Sequence, residues 1–238
     1  MPTAPLFEKY YFSRSWYVSA TVRFHRLIAA SCPEKASILE IGAGPRNSTS
    51  DYLARLGNVA GLDVSEEVFA NPALVEAKVF KGTTFPFADD SFDVCVSNYV
   101  LEHVADAETH FREVARVLRP GGFYFFRTPN IWHYVTIGSR LLPHSLHVAI
   151  ANQMRGLKDA HDPYRTYYRA NSRHVLNRLS RCAGLIPSRL ELIEPEPSYG
   201  KASPLLFFPM MAYERFVNSS RLLELFRINI FGVLQKPA

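Results

Sequence analysis

The segment Glu40-Ile41-Gly42-Ala43-Gly44-Pro45 constrains this chain more than any other. It closes an apolar run, Ser37 to Ile41, that reads as a buried strand, and it leads into Asn47-Ser48, where a helical pattern begins. Glycines at such a turn let a ligand approach the backbone, and a helix start leaves unpaired N–H donors beside it. Asp63 ends the next apolar run, 59–63, where a carboxylate can accept hydrogen bonds from two ribose hydroxyls. Strand, glycine turn, helix and acid-terminated strand in that order predict an α/β sheet that binds a nucleoside.

Two residues then choose between nucleosides. A dinucleotide fingerprint needs a third glycine where helix and strand pack closely, and Asn47 stands there. Glu40, two residues before the first glycine, would repel a pyrophosphate and attract an ammonium group. Both facts disfavour NAD and fit S-adenosylmethionine.

The alternation continues beyond Asp63. A weak helix is expected near Glu66, a short strand at Val79, and strong strands at 92–97 and 123–127. Between the last two, Asp106 caps a helix with Phe111, Val114, Ala115 and Leu118 on one face, and Arg119-Pro120-Gly121-Gly122 should stop it and reverse the chain. Later come a helix over 172–183, a strand over 185–193, a helix over 213–225 and a final strand reaching Leu234. Asp93 reads as a local backbone acceptor, Phe85, Phe87 and Phe92 as core, and His110 and His25 as solvent-facing.

Taken with Phe85-Pro86-Phe87-Ala88-Asp89-Asp90-Ser91-Phe92-Asp93, Leu101-Glu102-His103-Val104 and Leu118-Arg119-Pro120-Gly121-Gly122, the glycine turn and Asp63 resemble the ordered motifs of class I S-adenosylmethionine-dependent methyltransferases. The subgroup that includes ubiquinone and menaquinone biosynthesis methyltransferases is nearest by motif. The resemblance covers about 37–129 and implies a Rossmann-like α/β fold, with a mostly parallel seven-stranded sheet, helices on both faces and a substrate lid insertion. It implies one methyltransferase domain over 1–238: a helical cap (1–36), the cofactor-binding core (37–129), the lid (130–170) and the completion of the sheet (171–238).

The resemblance also implies roles. Glu40 and the backbone of Gly42, Ala43 and Gly44 would hold the methionine moiety, Asp63 the ribose, and Val64 would lie beside the adenine. Gly82, Thr83 and Thr84 would line the adenine edge, and Asn98 and Tyr99 would close the site near the methionine group. Arg46 stands where this family often has a further glycine and is expected to point away. If the acceptor is a hydroxyl, a base should take its proton; His103, just past the fourth strand, and His133, beyond the fifth, are the candidates.

Composition bounds the rest. With 238 residues, 47% of them hydrophobic, the chain can bury a sizeable core. No stretch approaches the roughly 20 apolar residues of a membrane span, and the N-terminus lacks a secretory layout, so a cytoplasmic location is the default. Cys32, Cys95 and Cys182 suggest neither a disulfide framework nor a metal site, and are expected to be reduced and mostly buried.

Over 130–181, eight arginines and lysines stand against Asp159 and Asp162, and five of the eight histidines lie in the same stretch. That surplus favours a small anionic acceptor, a carboxylated sugar, phosphorylated intermediate or lipid-linked glycan, with Trp132 and Tyr134 as candidate walls. An RNA methyltransferase is the rival enzyme, disfavoured because Asn98-Tyr99-Val100 lacks the paired prolines that hold a base nitrogen. A second rival is a non-catalytic, membrane-associated binding protein, for which Leu205-Leu206-Phe207-Phe208 near Arg215 and Arg221 offers a surface for lipid or for a dimer; monomer and homodimer both stay open.

Overall fold

Apolar runs bounded by turn residues become the strands of one sheet. The computed structural model describes residues 3–141, 164–201 and 203–238. The strands are β1 (Ala36–Ile41), β2 (Gly57–Asp63), β3 (Glu76–Val79), β4 (Phe92–Asn98), β5 (Leu118–Pro129), β6 (Ile186–Ile193) and β7 (Asn229–Gln235), in the order β3-β2-β1-β4-β5-β7-β6. Pairs β2–β3, β1–β2, β1–β4 and β4–β5 are parallel. At the other side the start of β5 meets the end of β7, with Gly121 N–H donating to Lys236 O and Lys236 N–H to Gly122 O, so β7 runs antiparallel to β5. Order reverses between β1 and β4, and open α/β sheets bind ligands at the carboxyl ends of strands at such a switch point.

Helices in chain order are α1 (Ala4–Phe7), which widens into a further turn at Glu8–Phe12, α2 (Ala20–Ala29), α3 (Ser48–Leu53), α4 (Ala107–Val117), α5 (Tyr134–Leu141), α6 (Arg173–Cys182) and α7 (Pro204–Asn218). Two compact units divide the chain. The first takes Met1–Val22, Pro129–Arg165 and Leu192–Asn229; the second takes Arg23–Thr128, Thr166–Glu191 and Ile230–Ala238 and holds the sheet. In the first, Phe7, Tyr11 and Phe207 form a buried aromatic cluster, and the Tyr11 hydroxyl donates to Glu214 at 2.9 Å, so the N-terminal aromatics dock on α7. Of the segment expected as a lid, 142–163 lies outside the described residues.

The weak helix expected near Glu66 is present as a short 3-10 helix, Glu66–Ala70, capped by Ser65, but other expectations fail. Pro120-Gly121-Gly122 does not reverse the chain: α4 passes directly into β5, and the pair of glycines sits where the β4–β5 register shifts. A Cβ on Gly122 would lie 2.9 Å from the carbonyl oxygens of Asp93 and Arg119, so the glycine permits close strand approach. The helix expected over 213–225 is instead α7, started by Ser203 and Pro204, followed by a separate turn, Arg221–Phe226, capped by Ser220.

His110 and His25 are buried rather than solvent-facing. His110 Nε2 lies 3.2 Å from the Tyr124 hydroxyl, and burial lowers its pKa to about 4. His25 stacks on Tyr52 at 4.3 Å, and burial again lowers its pKa. Cys95 is buried, but Cys32 is half-buried and Cys182 exposed. Asp93 behaves as expected, accepting from Ser37 N–H at 2.8 Å and from Arg119 at 2.7 Å.

Candidate functional site

Glu40 stands at the carboxyl end of β1 with its side chain inside the sheet edge. It is buried, and its Oε2 has no hydrogen-bond partner. Burial raises its pKa to about 7, against the opposing pull of hydrogen bonds with Ser50 and Asn47. A buried carboxylate oxygen without a donor is costly unless a ligand supplies one.

The turn beyond it is built for close approach. Gly42 and Gly44 take positive φ, +71° and +52°, and a Cβ on Gly42 would lie 2.3 Å from Val100 Cγ2. Gly42 N–H donates to Leu62 O at 2.7 Å, tying the turn to β2. Asp63, at the end of β2, accepts from Gly44 N–H at 2.8 Å and from Ser65 N–H at 2.9 Å. Ionised carboxylate oxygens keep further lone pairs for a ligand hydroxyl. Glu40, Gly42, Ala43, Gly44 and Asp63 are thus one constellation, and Val64, next in the chain, is exposed.

The helix start differs from the expectation that its donors would be free. Asn47 Oδ1 accepts from Thr49 N–H at 2.8 Å and Ser50 N–H at 3.0 Å. The residue that replaces a dinucleotide-type glycine is therefore an N-cap, and it occupies donors that a pyrophosphate would use. Asn47→Ala is expected to destabilise the fold by about 1 kcal/mol and Asn47→Ser by much less, measured by urea denaturation. Arg46 turns to Asp51 at 3.2 Å on the exposed side.

Gly82, Thr83 and Thr84 form an exposed loop after β3, anchored behind by Phe80 N–H donating to Asp63 O at 2.7 Å. Ahead of it, Phe85 N–H donates to Glu113 Oε2 at 2.6 Å, while Arg116 donates to the Phe85 and Phe87 carbonyls and to Asp89. Glu113 and Arg116 on α4 therefore hold the loop that the sequence motif 85–93 begins.

Asn98 and Tyr99 end β4 in a polar network. Asn98 Nδ2 donates to Thr49 Oγ1 at 3.0 Å, and Asn98 Oδ1 accepts from Arg127 Nε at 2.7 Å. Tyr99 has φ of +59°, rare for a bulky residue, and is held by its N–H to Arg127 O at 2.8 Å and by the Arg127 guanidinium 4.4 Å from its ring centre. His103 is half-buried on the turn Leu101–His103 that follows. Glu102 beside it is buried, and its carbonyl accepts from Tyr167 N–H at 2.7 Å.

His133, in the first unit, is only 1% exposed, and burial lowers its pKa to about 3. Its Nδ1 accepts from Val135 N–H, and its Nε2 lies 3.5 Å from Glu194 Oε2. Trp132 and Tyr134 on either side are exposed. Among the described residues no cluster of His, Cys, Asp or Glu has the makings of a metal site.

Sequence reasoning missed Asn71, Arg127, Glu113 and Arg116. Asn71 Nδ2 lies 3.3–3.5 Å from the carbonyl oxygens of Ala43, Gly44 and Pro45 and 2.9 Å from Ser50 Oγ, so it braces the glycine turn from behind. None of the four sits in a motif; each acts through a partner distant in sequence.

Residues 39–126 match a protein family described as a methyltransferase domain. Around it, an uncharacterised methyltransferase of Mycolicibacterium vanbaalenii is 39% identical over 92 residues, 36% of this chain and 36% of that protein. A ubiquinone biosynthesis O-methyltransferase of Caulobacter vibrioides is 34% identical over 128 residues, 47% and 48% of the two chains. The chain thus spans about a third to a half of the length of these curated relatives. A geranyl diphosphate methyltransferase solved with its diphosphate and sinefungin superposes with TM-score 0.60 at 20% identity, covering 91% of this chain and 77% of that one. The likeness to that structure is one of fold, a Rossmann-like and mostly parallel seven-stranded sheet.

Proposed function

We propose that this chain is an S-adenosylmethionine-dependent methyltransferase of small molecules, and that it O-methylates an anionic, glycan or lipid-linked acceptor. The observation that carries the cofactor reading is the buried, unpartnered Glu40 Oε2 beside the positive-φ glycine turn. An ammonium group satisfies that oxygen, and a phosphate does not. Asp63 takes the ribose, Val64 and the loop 82–84 the adenine, and Asn98 with Tyr99 the methionine side.

When bound, the cofactor supplies a methyl group on sulfonium, transferred in line with a neutral leaving group. The protein's share is then alignment, exclusion of water and removal of the acceptor proton. We assign the base to His103 over His133, since His103 follows β4 and His133 is enclosed by Tyr134, Tyr213 and Glu194. The acceptor class is supported by the basic surplus over 130–181 and by relatives named for ubiquinone biosynthesis and for geranyl diphosphate.

Calorimetric titration tests this reading. S-adenosylmethionine and S-adenosylhomocysteine should bind and NAD should not; NAD binding, or silence with both adenosyl ligands, overturns it. Protonation gives a second readout. Glu40, with its pKa raised to about 7, is mostly protonated at about pH 6, and an approaching ammonium favours the ionised form. Binding should therefore release close to one proton near pH 6 and almost none near pH 8, measured in buffers of different ionisation enthalpy, and Glu40→Gln should abolish the release. The same shift favours the fold most below the ordinary carboxylate range and is lost as pH rises through about 7.

A further inference from the structure

Helix α7 is apolar on two opposite sides. Phe207 and Val217 are buried on one. On the other, Leu205, Phe208, Pro209, Ala212 and Phe216 recur at helical spacing, and every one of them is exposed. Leu205 is 86% exposed, and Leu222, on the turn that follows, is 90% exposed. A stripe of this kind, about 16 Å from Leu205 to Phe216 at the helical rise, interacts with something apolar or carries a solubility cost.

Its surroundings give the sign of the partner. Lys9, Arg14, Arg215 and Arg221 are all exposed in the same unit. The ammonium of Lys9 lies over the Tyr10 ring, and that ring packs edge-on against Phe208. The Arg215 guanidinium lies 5.0 Å from the centre of the exposed Trp16 ring. Among the described residues of the unit the acids are few and mostly engaged: Glu194 is buried, Glu214 is buried and paired with Arg215 at 3.4 Å, and Glu196 accepts from the Tyr17 hydroxyl, while Glu8 is exposed and Glu224 half-buried. Cations and aromatic rings thus interleave around an uncharged ridge of leucine and phenylalanine.

We infer that this face docks on an anionic lipid bilayer, with α7 lying along the interface. Leucine and phenylalanine enter the acyl boundary, tryptophan and tyrosine sit at headgroup depth, and lysine and arginine reach lipid phosphates. A second copy of the chain is the poorer occupant. A twofold contact through this face would bring its arginines and lysines near their own counterparts, with few acids in reach to neutralise them. No described helix is long and apolar enough to cross a membrane, so the contact is peripheral.

The test needs no cofactor, so its outcome is independent of the methyltransferase reading. The full chain is sedimented with vesicles of phosphatidylcholine alone and of phosphatidylcholine with phosphatidylglycerol. Binding to the anionic vesicles, weakened by salt and at least about tenfold stronger than to the neutral ones, is expected. The double variant Leu205→Glu/Leu222→Glu should lose at least about tenfold in vesicle binding. Both side chains are almost wholly exposed, so its thermal midpoint and adenosylhomocysteine affinity should match the parent. Equal binding to neutral and anionic vesicles, no binding to either, or undiminished binding of the double variant overturns the inference. So does a dimer in light scattering that the double variant dissolves while no vesicle is bound; that result assigns the face to a second copy.

Discussion

Asp63→Ala is expected to weaken S-adenosylhomocysteine binding by at least about a hundredfold and to lower the free energy of unfolding by about 2 kcal/mol. Two effects add. The carboxylate accepts the Gly44 and Ser65 N–H groups, so its removal leaves two backbone donors to find water and loosens the glycine turn. It is also the acceptor assigned to the ribose hydroxyls, and hydrogen bonds to a charged group are worth roughly twice neutral ones. Asp63→Asn separates the two: an amide retains one carbonyl oxygen, so about half of the stability should return while affinity stays low. Calorimetry and urea denaturation on the two variants check this. Wild-type affinity in Asp63→Ala would remove the ribose assignment, whatever the stability.

How far the sequence foretells this site depends on the range of the interactions. Glu40, Gly42, Gly44 and Asp63 are legible because each sits at the end of a strand whose apolar run marks it, and the turn chemistry is local. Asp106 and Ser172 were legible as helix starts for the same reason, and both do cap. Asn47 is legible both as a missing glycine and as the place where a helix begins; that its own side chain caps α3 is local chemistry the fingerprint comparison does not bring out. His110 and His25 were misread because the polarity of a histidine says nothing of which helix face meets the sheet; Tyr124 and Tyr52, distant in sequence or hidden in a short helix, are what bury them. Pro120-Gly121-Gly122 misled because the same residues that end helices also admit irregularities in a strand, and only the approach of the Asp93 carbonyl decides between them. Asn71 and Arg127 carry no signal at all before the turn and the strand edge they brace are assembled.

Gly42→Ala should be the most damaging single methyl in the proposed cofactor site, costing about 3 kcal/mol of stability together with most of the affinity for S-adenosylhomocysteine. Two costs combine. Positive φ is strained for alanine by about 1–2 kcal/mol, and the new Cβ would stand 2.3 Å from Val100 Cγ2, so the residues that follow β4 must move. Gly44→Ala is the control. It has the same kind of backbone strain at φ of +52°, but its nearest neighbour, Asp63 Oδ2, is 4.0 Å away, so only the smaller penalty should appear. Val100→Ala supplies the other half of the argument. It removes the clashing methyl and leaves φ untouched, so Gly42→Ala/Val100→Ala should recover about half of the loss, a favourable coupling that two independent sites would not show. Equal costs at Gly42 and Gly44, or no coupling with Val100, would mean that backbone freedom alone matters here. The predicted inequality means more: the first glycine exists so that the segments leaving β1 and β4 can approach each other, and that approach joins the Glu40 end of the site to the Asn98–Tyr99 end.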